Sequence, residues 1–325
     1  MSPITSPSSA RSGAIPYGRT ARRLEWPLLP PMVRSMIARR LGSRVVSAES
    51  AGTGFTPGFA SVLTCEDGSR HFVKAASRKA QRTFAEAYSE EARKLRALPP
   101  GLPVPRLLWS HEDDLWVVLE VEYVDATHPA RPWRPAELDT CLDTLEVLAR
   151  RLTPPPMPLA TFADDFAECL TGWDHLRRVA PDHPHLDEAE RLAGRYVEAT
   201  AGSTLVHTDA RDDNLLLAGG RALLCDWNWP VVGAAWIDTV ALLISAHGDG
   251  VDCDAVLAER PLTREVDPED VDAFLALMAG FFFERRDQPT PNSSPYLRAH
   301  QSWYAEATWS WLSWRRGWER PASVT

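Results

Sequence analysis

Two hydrophobic patterns divide the chain. From about residue 43 to 124 the apolar residues come in short runs broken by turn formers, as strands require. Phe59–Cys65 and His71–Ala76 flank Glu66-Asp67-Gly68-Ser69, whose composition predicts a hairpin turn. Two further runs, 105–110 and 115–124, surround the polar His111-Glu112-Asp113-Asp114. Between the pairs the spacing predicts one helix over about 79–98, closed by Pro99-Pro100-Gly101. After Ala126 the period becomes helical, near 135–152, 163–178, 185–200, 234–247, 268–286 and 298–316. Only 204–226 differs, with two short apolar runs around Ala218-Gly219-Gly220-Arg221, a second hairpin. The last helical segment carries Trp303, Ala307, Trp311, Trp314 and Trp318 on one stripe, which predicts core packing. The chain therefore reads as α+β with two lobes. A small antiparallel-sheet lobe with one helix spans 25–122, and a larger, mainly helical lobe spans 123–325. Residues 1–24 are rich in Ser, Pro, Gly and Arg and contain no acidic residue, which predicts a mobile arm.

Composition narrows the function. A chain of 325 residues is long enough for two lobes of ordinary size. No run reaches the roughly 18 consecutive apolar residues of a membrane span, and Pro3, Pro7 and Pro16 interrupt any secretory signal. A membrane partner is therefore not expected. The five cysteines, at 65, 141, 169, 225 and 253, show no metal-binding spacing, and their odd number suits reduced thiols in a cytoplasmic protein. The net charge of -9 is uneven: residues 1–126 hold 17 basic and 13 acidic groups, the remainder 18 and 31. An acidic second half disfavours nucleic acid as a partner and favours cations, whether metal or substrate.

The candidate chemistry begins at Leu205-Val-His207-Thr-Asp209-Ala-Arg211-Asp-Asp-Asn214, followed by Asp226 after the hairpin. His-x-Asp-x4-Asn with a later Asp resembles the catalytic loop and metal-binding Asp of kinases. Asn214 opens one hairpin strand and Asp226 closes the other, so both emerge at one end. An amide oxygen and a carboxylate there are hard ligands suited to Mg²⁺. Asp209, at the lip of that site, can orient a substrate hydroxyl and take its proton.

Lys74 lies within an apolar strand and needs a partner. On the predicted helix, Phe84, Tyr88, Leu95 and Leu98 form an apolar stripe that includes Glu91, which also needs one. Pairing Lys74 with Glu91 satisfies both, with neighbouring Glu90 the competing partner. Lys79 and Lys94 lie among polar residues and read as surface groups. Ala51-Gly52-Thr53-Gly54-Phe55-Thr56-Pro57-Gly58 lies between two strand candidates, and its glycines let the backbone approach phosphates closely. Gly54, Phe55 and Thr56 are its candidate contacts.

With these motifs the chain resembles aminoglycoside phosphotransferases and related small-molecule kinases of the protein-kinase-like fold, over about residues 43–316. Also similar are Pro103-Val-Pro-Arg106, the Trp116–Val124 strand leading to an interlobe hinge, and Gly233-Ala-Ala-Trp-Ile-Asp238. The resemblance implies a Mg²⁺-dependent enzyme that moves a phosphoryl group from ATP or GTP to a small-molecule hydroxyl. It makes Asp209 the catalytic base and Asn214 and Asp226 the metal ligands. It places Lys74 on the α/β-phosphates, held by Glu91, and puts adenine against the backbone of Glu122 and Val124. Asp238 would brace the catalytic loop. Arg211 falls where protein kinases often have a Lys that meets the transferring phosphate, and an ion pair with Asp212 or Asp213 is the other role open to it. The loop departs from the family's common pattern at Thr208 and at Arg211-Asp212-Asp213, next to the acceptor pocket. Only seven residues separate Asp226 from the helix near Ala234, too few for a protein kinase's activation segment. A catalytically silent nucleotide-binding module is the remaining alternative, and the intact Lys74, Asp209, Asn214 and Asp226 argue against it.

Overall fold

The computed structural model describes residues 20–318. The N-lobe is one antiparallel sheet of five strands: β1 (Val45–Ser50), β2 (Phe59–Cys65), β3 (Arg70–Ser77), β4 (Leu107–Glu112) and β5 (Trp116–Val121). Their order is β1-β2-β3-β5-β4. Asp67-Gly68 closes the β2–β3 hairpin as predicted, with Gly68 at φ 84°.

Because side chains alternate across a strand, this sheet has two buried faces. Val73, Ala75 and Val118 point to one, with Phe59 and Leu63. Ala76, Val117, Leu119 and Val121 point to the other. The second face receives α2 (Arg82–Ala97) through Ala85, Tyr88, Ala92 and Leu95, the helix the apolar spacing predicts. The first face is covered by a helix that the sequence reading missed, α1 (Pro31–Leu41). It anchors through Val33 and Ile37, and Leu29 packs beside them. Pro31 opens it at the first turn and Gly42, at φ 77°, closes it in the left-handed conformation. Thus the N-lobe holds two helices rather than one.

Nineteen of the 24 residues expected to form a mobile arm lie outside the described residues. The others, Thr20–Leu24, lie against the glycine-rich loop: Thr20 is buried and its hydroxyl donates to the Gly54 carbonyl at 2.6 Å.

The C-lobe opens with α3 (Pro135–Arg151), matching its predicted span. The helix expected over 163–178 is broken into α4 (Phe162–Asp165), a 3₁₀ turn over 167–170 and α5 (Thr171–Val179). The next predicted helix is likewise split, into α6 (Leu186–Ala193) and α7 (Tyr196–Ala199). Then come β6 (Thr204–Val206), β7 (Leu215–Ala218), β8 (Arg221–Leu224) and β9 (Val231–Gly233), where β7 pairs with β8 and β6 with β9. Four helices follow: α8 (Ile237–Gly248), α9 (Cys253–Glu259), α10 (Pro268–Arg286) and α11 (Leu297–Arg316).

Helix α10 is the axis of this lobe. It is buried from Val271 to Gly280, as expected for a helix apolar on all sides. Asp267 caps its first turn by accepting from the Glu269 amide at 2.9 Å. Of the aromatic stripe on α11, Trp311 is fully buried, but Trp314 is 59% exposed and so lies outside the core. Trp318 instead stacks on His185, ring centroids 4.7 Å apart. All five cysteines are free thiols. Among the described residues no helix is long and apolar enough to cross a membrane.

Helices α5 and α10 meet at Gly172 and Gly280, where a Cβ on Gly172 would stand 2.0 Å from the Gly280 carbonyl oxygen. No rotamer relieves a clash with backbone, so the helices must separate. Gly172→Ala is expected to destabilise the protein by about 1–3 kcal/mol, read as a lower midpoint in chemical denaturation. An unchanged midpoint would show that the two helices do not pack this closely.

Candidate active site

The site is assembled from three pieces of chain that meet between the lobes. The first is the loop after β6. His207 is buried and its backbone amide donates to Asp238 Oδ2 at 2.7 Å, while the Thr208 amide donates to Asp238 Oδ1 at 2.8 Å. Asp238, in the first turn of α8, thus holds the loop by two amides. Thr208 lies at φ 66°, a conformation that a β-branched residue adopts only when its surroundings enforce it. The His207 ring donates from Nε2 to the Cys225 carbonyl at 3.0 Å and accepts the Asp209 amide at Nδ1, 3.2 Å away. One donor and one acceptor define a neutral imidazole, and burial lowers its pKa accordingly.

The second piece is the β7–β8 hairpin. Leu215 pairs with Leu224, and the Cys225 amide donates to the Asn214 carbonyl at 2.9 Å, so Asn214 and Asp226 leave the hairpin together. Asn214 donates Nδ2 to the Asp209 carbonyl and to Asp209 Oδ2, each at 2.9 Å. Its amide orientation is therefore fixed, with Oδ1 facing away from Asp209. Asp226 lies at φ 66°, a second strained position held by the site. Burial raises the Asp209 carboxyl to about 6, against the pull of Arg211, whose Nε lies 3.2 Å from Asp209 Oδ1.

The third piece is the N-lobe. Lys74 Nζ donates to both Glu91 oxygens at 2.8 Å and to Asp226 Oδ1 at 2.9 Å. The predicted Lys74–Glu91 pair is present, and Glu90 pairs with Arg93 on the surface instead. Burial alone would lower the Lys74 pKa, but Asp226 and Glu91 together raise it. Burial pushes Glu91 up to about 7, countered by Lys74. Burial would also raise Asp226, but Lys74 outweighs it and holds that carboxyl below its ordinary value. Lys94, read as a surface group, is buried: Nζ reaches across to the Asn228 carbonyl at 2.5 Å, a second bond between the lobes.

Between these pieces runs a cleft of about 350 Å³. Ala60, Phe72 and Val121 line it from the sheet and Leu216 from the hairpin, an apolar slot open at the Glu122–Val124 hinge. The Glu122 amide donates to the Arg106 carbonyl at 2.8 Å, which leaves the Glu122 carbonyl for a ligand. Gly54 and Thr56 line the cleft as well. Phe55 does not line the cleft. Its ring lies on His300, centroids 4.6 Å apart, and its carbonyl accepts the Ser294 hydroxyl at 2.5 Å. A larger cavity of about 700 Å³ lies between α9, α10 and α11, lined by Leu257, Val266, Asp272 and Arg315. Arg315 and Asp272 pair with each other there, at 2.5 Å.

The sequence reading missed three groups here. Arg23 lines the cleft, His128 lines it and accepts from the Thr53 hydroxyl at 3.3 Å, and His300 accepts from Arg211 Nη1 at 3.0 Å. Their partners lie 28 to 89 residues away in sequence, so no local motif marks them.

The donor set at the hairpin mouth fits Mg²⁺. It offers one carboxylate, Asp226, and one amide oxygen, Asn214, both hard. Among the described residues no three His, Cys, Asp or Glu side chains form a cage of their own. Mg²⁺ suits such a sparse set, since it keeps waters and phosphates as its other ligands.

A family model described as the phosphotransferase enzyme family matches residues 58–277. The chain belongs to that family. It is therefore a phosphotransferase with the two-lobed kinase-like fold. Solved structures agree in fold. Choline kinase LicA from Streptococcus pneumoniae is 14% identical, with 86% of this chain and 98% of that one covered, at a TM-score of 0.59. An aminoglycoside phosphotransferase from Alicyclobacillus acidocaldarius is 17% identical, covering 84% and 92%, at 0.55. An amicoumacin kinase solved with AMP-PNP, Ca²⁺ and Ami is 13% identical, covering 85% and 92%, at 0.51. Among curated proteins none is a significant match in sequence.

Removing the Lys74 ammonium strands Glu91, whose side chain is almost fully buried. Breaking one side of a buried pair costs about 3–5 kcal/mol. Lys74→Met is expected to lower the melting temperature, and adding Glu91→Gln to recover part of the loss. A Lys74→Met melt equal to wild type would show that Glu91 does not depend on Lys74.

Proposed function

We propose that this phosphotransferase moves the terminal phosphoryl group of ATP (or GTP) to a hydroxyl of a small cationic molecule, such as an aminoglycoside-like antibiotic, an amino sugar or an amino alcohol. The observation that carries this reading is the convergence on one cleft of Asp209, Asn214 and Asp226 from one lobe and the Lys74–Glu91 pair from the other.

In this reading adenine occupies the apolar slot, against the Glu122 carbonyl and the Val124 backbone. Lys74 meets the α- and β-phosphates, and Glu91 keeps it extended. Asn214 and Asp226 hold Mg²⁺, which when bound neutralises charge on the phosphates. Asp209 accepts the proton of the acceptor hydroxyl as its oxygen bonds to the γ-phosphorus. The bond from that phosphorus to the β–γ bridging oxygen breaks, the nucleoside diphosphate leaves, and Asp209 returns its proton to water. Asn214 fixes one carboxylate oxygen of Asp209 by its Nδ2, so the other is the oxygen left to the hydroxyl. That oxygen lies 3.2 Å from Arg211 Nε, which also lies 3.2 Å from Asp213 Oδ1, and in this reading the guanidinium offers its charge to the phosphoryl oxygens.

Support for a cationic acceptor comes from the acidic second half of the chain and from the loop itself. Asp209, Asp212 and Asp213 lie there and outnumber the two arginines that pair with them, Arg211 and Arg131, and Trp229, 63% exposed, accepts the Thr208 hydroxyl at its carbonyl. An exposed indole offers its face to a cation. The fold neighbours named as choline and aminoglycoside kinases act on molecules of this class.

A coupled phosphotransfer screen over hydroxylated amines, amino sugars, antibiotics and neutral sugars tests the reading, with mass spectrometry of the product. Phosphorylation of an amine-bearing acceptor is expected, and Asp209→Asn should lower turnover by about 10²–10⁴-fold while leaving ATP binding intact. Wild-type turnover in that variant removes Asp209 from the reaction, and preference for neutral sugars removes the cationic acceptor.

Arg211→Lys separates charge from geometry. Lys keeps the charge but not the fork that reaches Asp209, Asp213 and His300 together. A fall in kcat of about tenfold or more with a melt near wild type is expected. An unchanged kcat eliminates the phosphate contact.

A further inference from the structure

The segment before α1 supplies a cation to the cleft. Arg23 precedes the region matched by the family model, residues 58–277, yet it lines the same cleft as Lys74, Tyr88 and Asp226. Its guanidinium lies against the glycine-rich loop. Nη1 donates to the Ala51 carbonyl at 2.7 Å, and Nη2 donates to the Thr53 carbonyl at 2.5 Å and the Gly54 carbonyl at 3.1 Å. The segment leading to it is fixed by the Thr20 hydroxyl on Gly54 and by the Arg22 amide, which donates to the Ser293 carbonyl at 2.7 Å.

Three features separate this guanidinium from a surface arginine. All its partners are neutral carbonyls, and among the described residues no carboxylate lies within ion-pair distance of it. Lys74 in the same cleft has two carboxylates, and Arg70 has Asp125 at 3.7 Å. Arg23 is thus the cleft cation whose charge has no counter-ion. Second, its Nε–H is buried and has no acceptor among the described residues, an arrangement that native structures avoid unless a ligand or water completes it. Third, three loop carbonyls converge on it. Carbonyls facing a nucleotide would repel phosphate, and a guanidinium bound across them replaces that negative edge with a positive one. Burial pulls its pKa down, and the Asp226 and Asp213 carboxylates, which line the same cleft, pull the other way.

We propose that Arg23 is a phosphate-binding residue of the nucleotide site, contributed by a segment outside the family's matched region. The proposal rests on the nucleotide site of the proposed function.

Binding of ATP, ADP and adenosine to the full chain, with Mg²⁺ present, tests it by calorimetry in wild type, Arg23→Met, Arg23→Gln and Arg23→Lys, each checked by a thermal melt. Two neutral variants are included so that the failure of one to fold leaves the other. The neutral variants are expected to lose about tenfold or more in ATP affinity, as for a hydrogen bond to a charged group, and to keep adenosine affinity. Arg23→Lys should retain most of the ATP affinity, because the charge remains. ATP affinity at or above the wild-type value in the neutral variants overturns the proposal, the latter case marking Arg23 as an obstruction. So does a Lys variant as weak as Met, which would make Arg23 a brace for the loop, or an equal loss for adenosine. Wild-type protein that binds none of the three ligands overturns the nucleotide site itself, a result distinct from all of these.

Discussion

One buried ammonium joins the two lobes. Lys74 is drawn from the middle of a strand, where its neighbours Ala75 and Ala76 are fully buried, and its charge is matched by Glu91 from α2 and Asp226 from the C-lobe hairpin. A desolvated charge is tolerable only with partners at close range. That requirement fixes the rotation of α2 on the sheet, because Glu91 must face Lys74, and fixes how near the hairpin mouth the sheet can sit. Lys94 adds a second link from the same helix to Asn228, whose side chain in turn donates to Asp226 at 2.5 Å. Asp226 is therefore held by two groups that α2 positions, one directly and one through Asn228. An anionic ligand entering the cleft meets a cation that is already extended and has no other place to go.

The C-lobe side depends on different physics. Its candidate catalytic residues sit on a short, strained loop, and strain persists only where surrounding contacts over-determine the backbone. Thr208 and Asp226 both lie at φ 66°. Asp238 holds the first by two amides, while the His207 ring bonds to the Cys225 carbonyl, immediately before the second. His207 thus ties one strained turn to the other and has no proton left to exchange. Asp238 belongs to α8, and α8 packs against α3 and α11. In this way the helical lobe acts as a rigid mount for a few polar atoms.

What the sequence disclosed, and what it hid, follows from how far each residue's partner lies along the chain and what kind of group it is. Lys74 and Glu91 were legible because each is a charge in an apolar pattern, and such a charge demands a partner. Asp209, Asn214 and Asp226 were legible because a hairpin brings its two ends together whatever the rest of the fold does. Helix α1 did leave a mark that the reading passed over: Val33, Met36, Ile37 and Leu41 stand at i, i+3, i+4 and i+8, and all four pack under the sheet. Lys94, Arg23 and His128 were hidden for a shared reason. Each bonds to a backbone carbonyl far away in sequence, and a carbonyl leaves no mark in the residue code. The breaks in the helices over 162–179 and 186–199 escaped for the opposite reason: apolar spacing continues through them while the backbone does not.

These hidden contacts have a combined consequence. The glycine-rich loop is gripped by four groups: Arg23 on Ala51 and Thr53, Thr20 on Gly54, Ser294 on Phe55, and His128 on Thr53. Two of those groups belong to the N-terminal segment and N-lobe boundary, and two belong to the C-lobe. From Phe55 the contact runs on to His300, from His300 to Arg211, and from Arg211 to Asp209. Burial and the nearby Arg211 and Arg131 guanidinium groups hold His300 well below its ordinary pKa, so it stays neutral and accepts from Arg211. The glycine-rich loop and the Asp209 carboxylate are therefore connected by a short series of packed side chains.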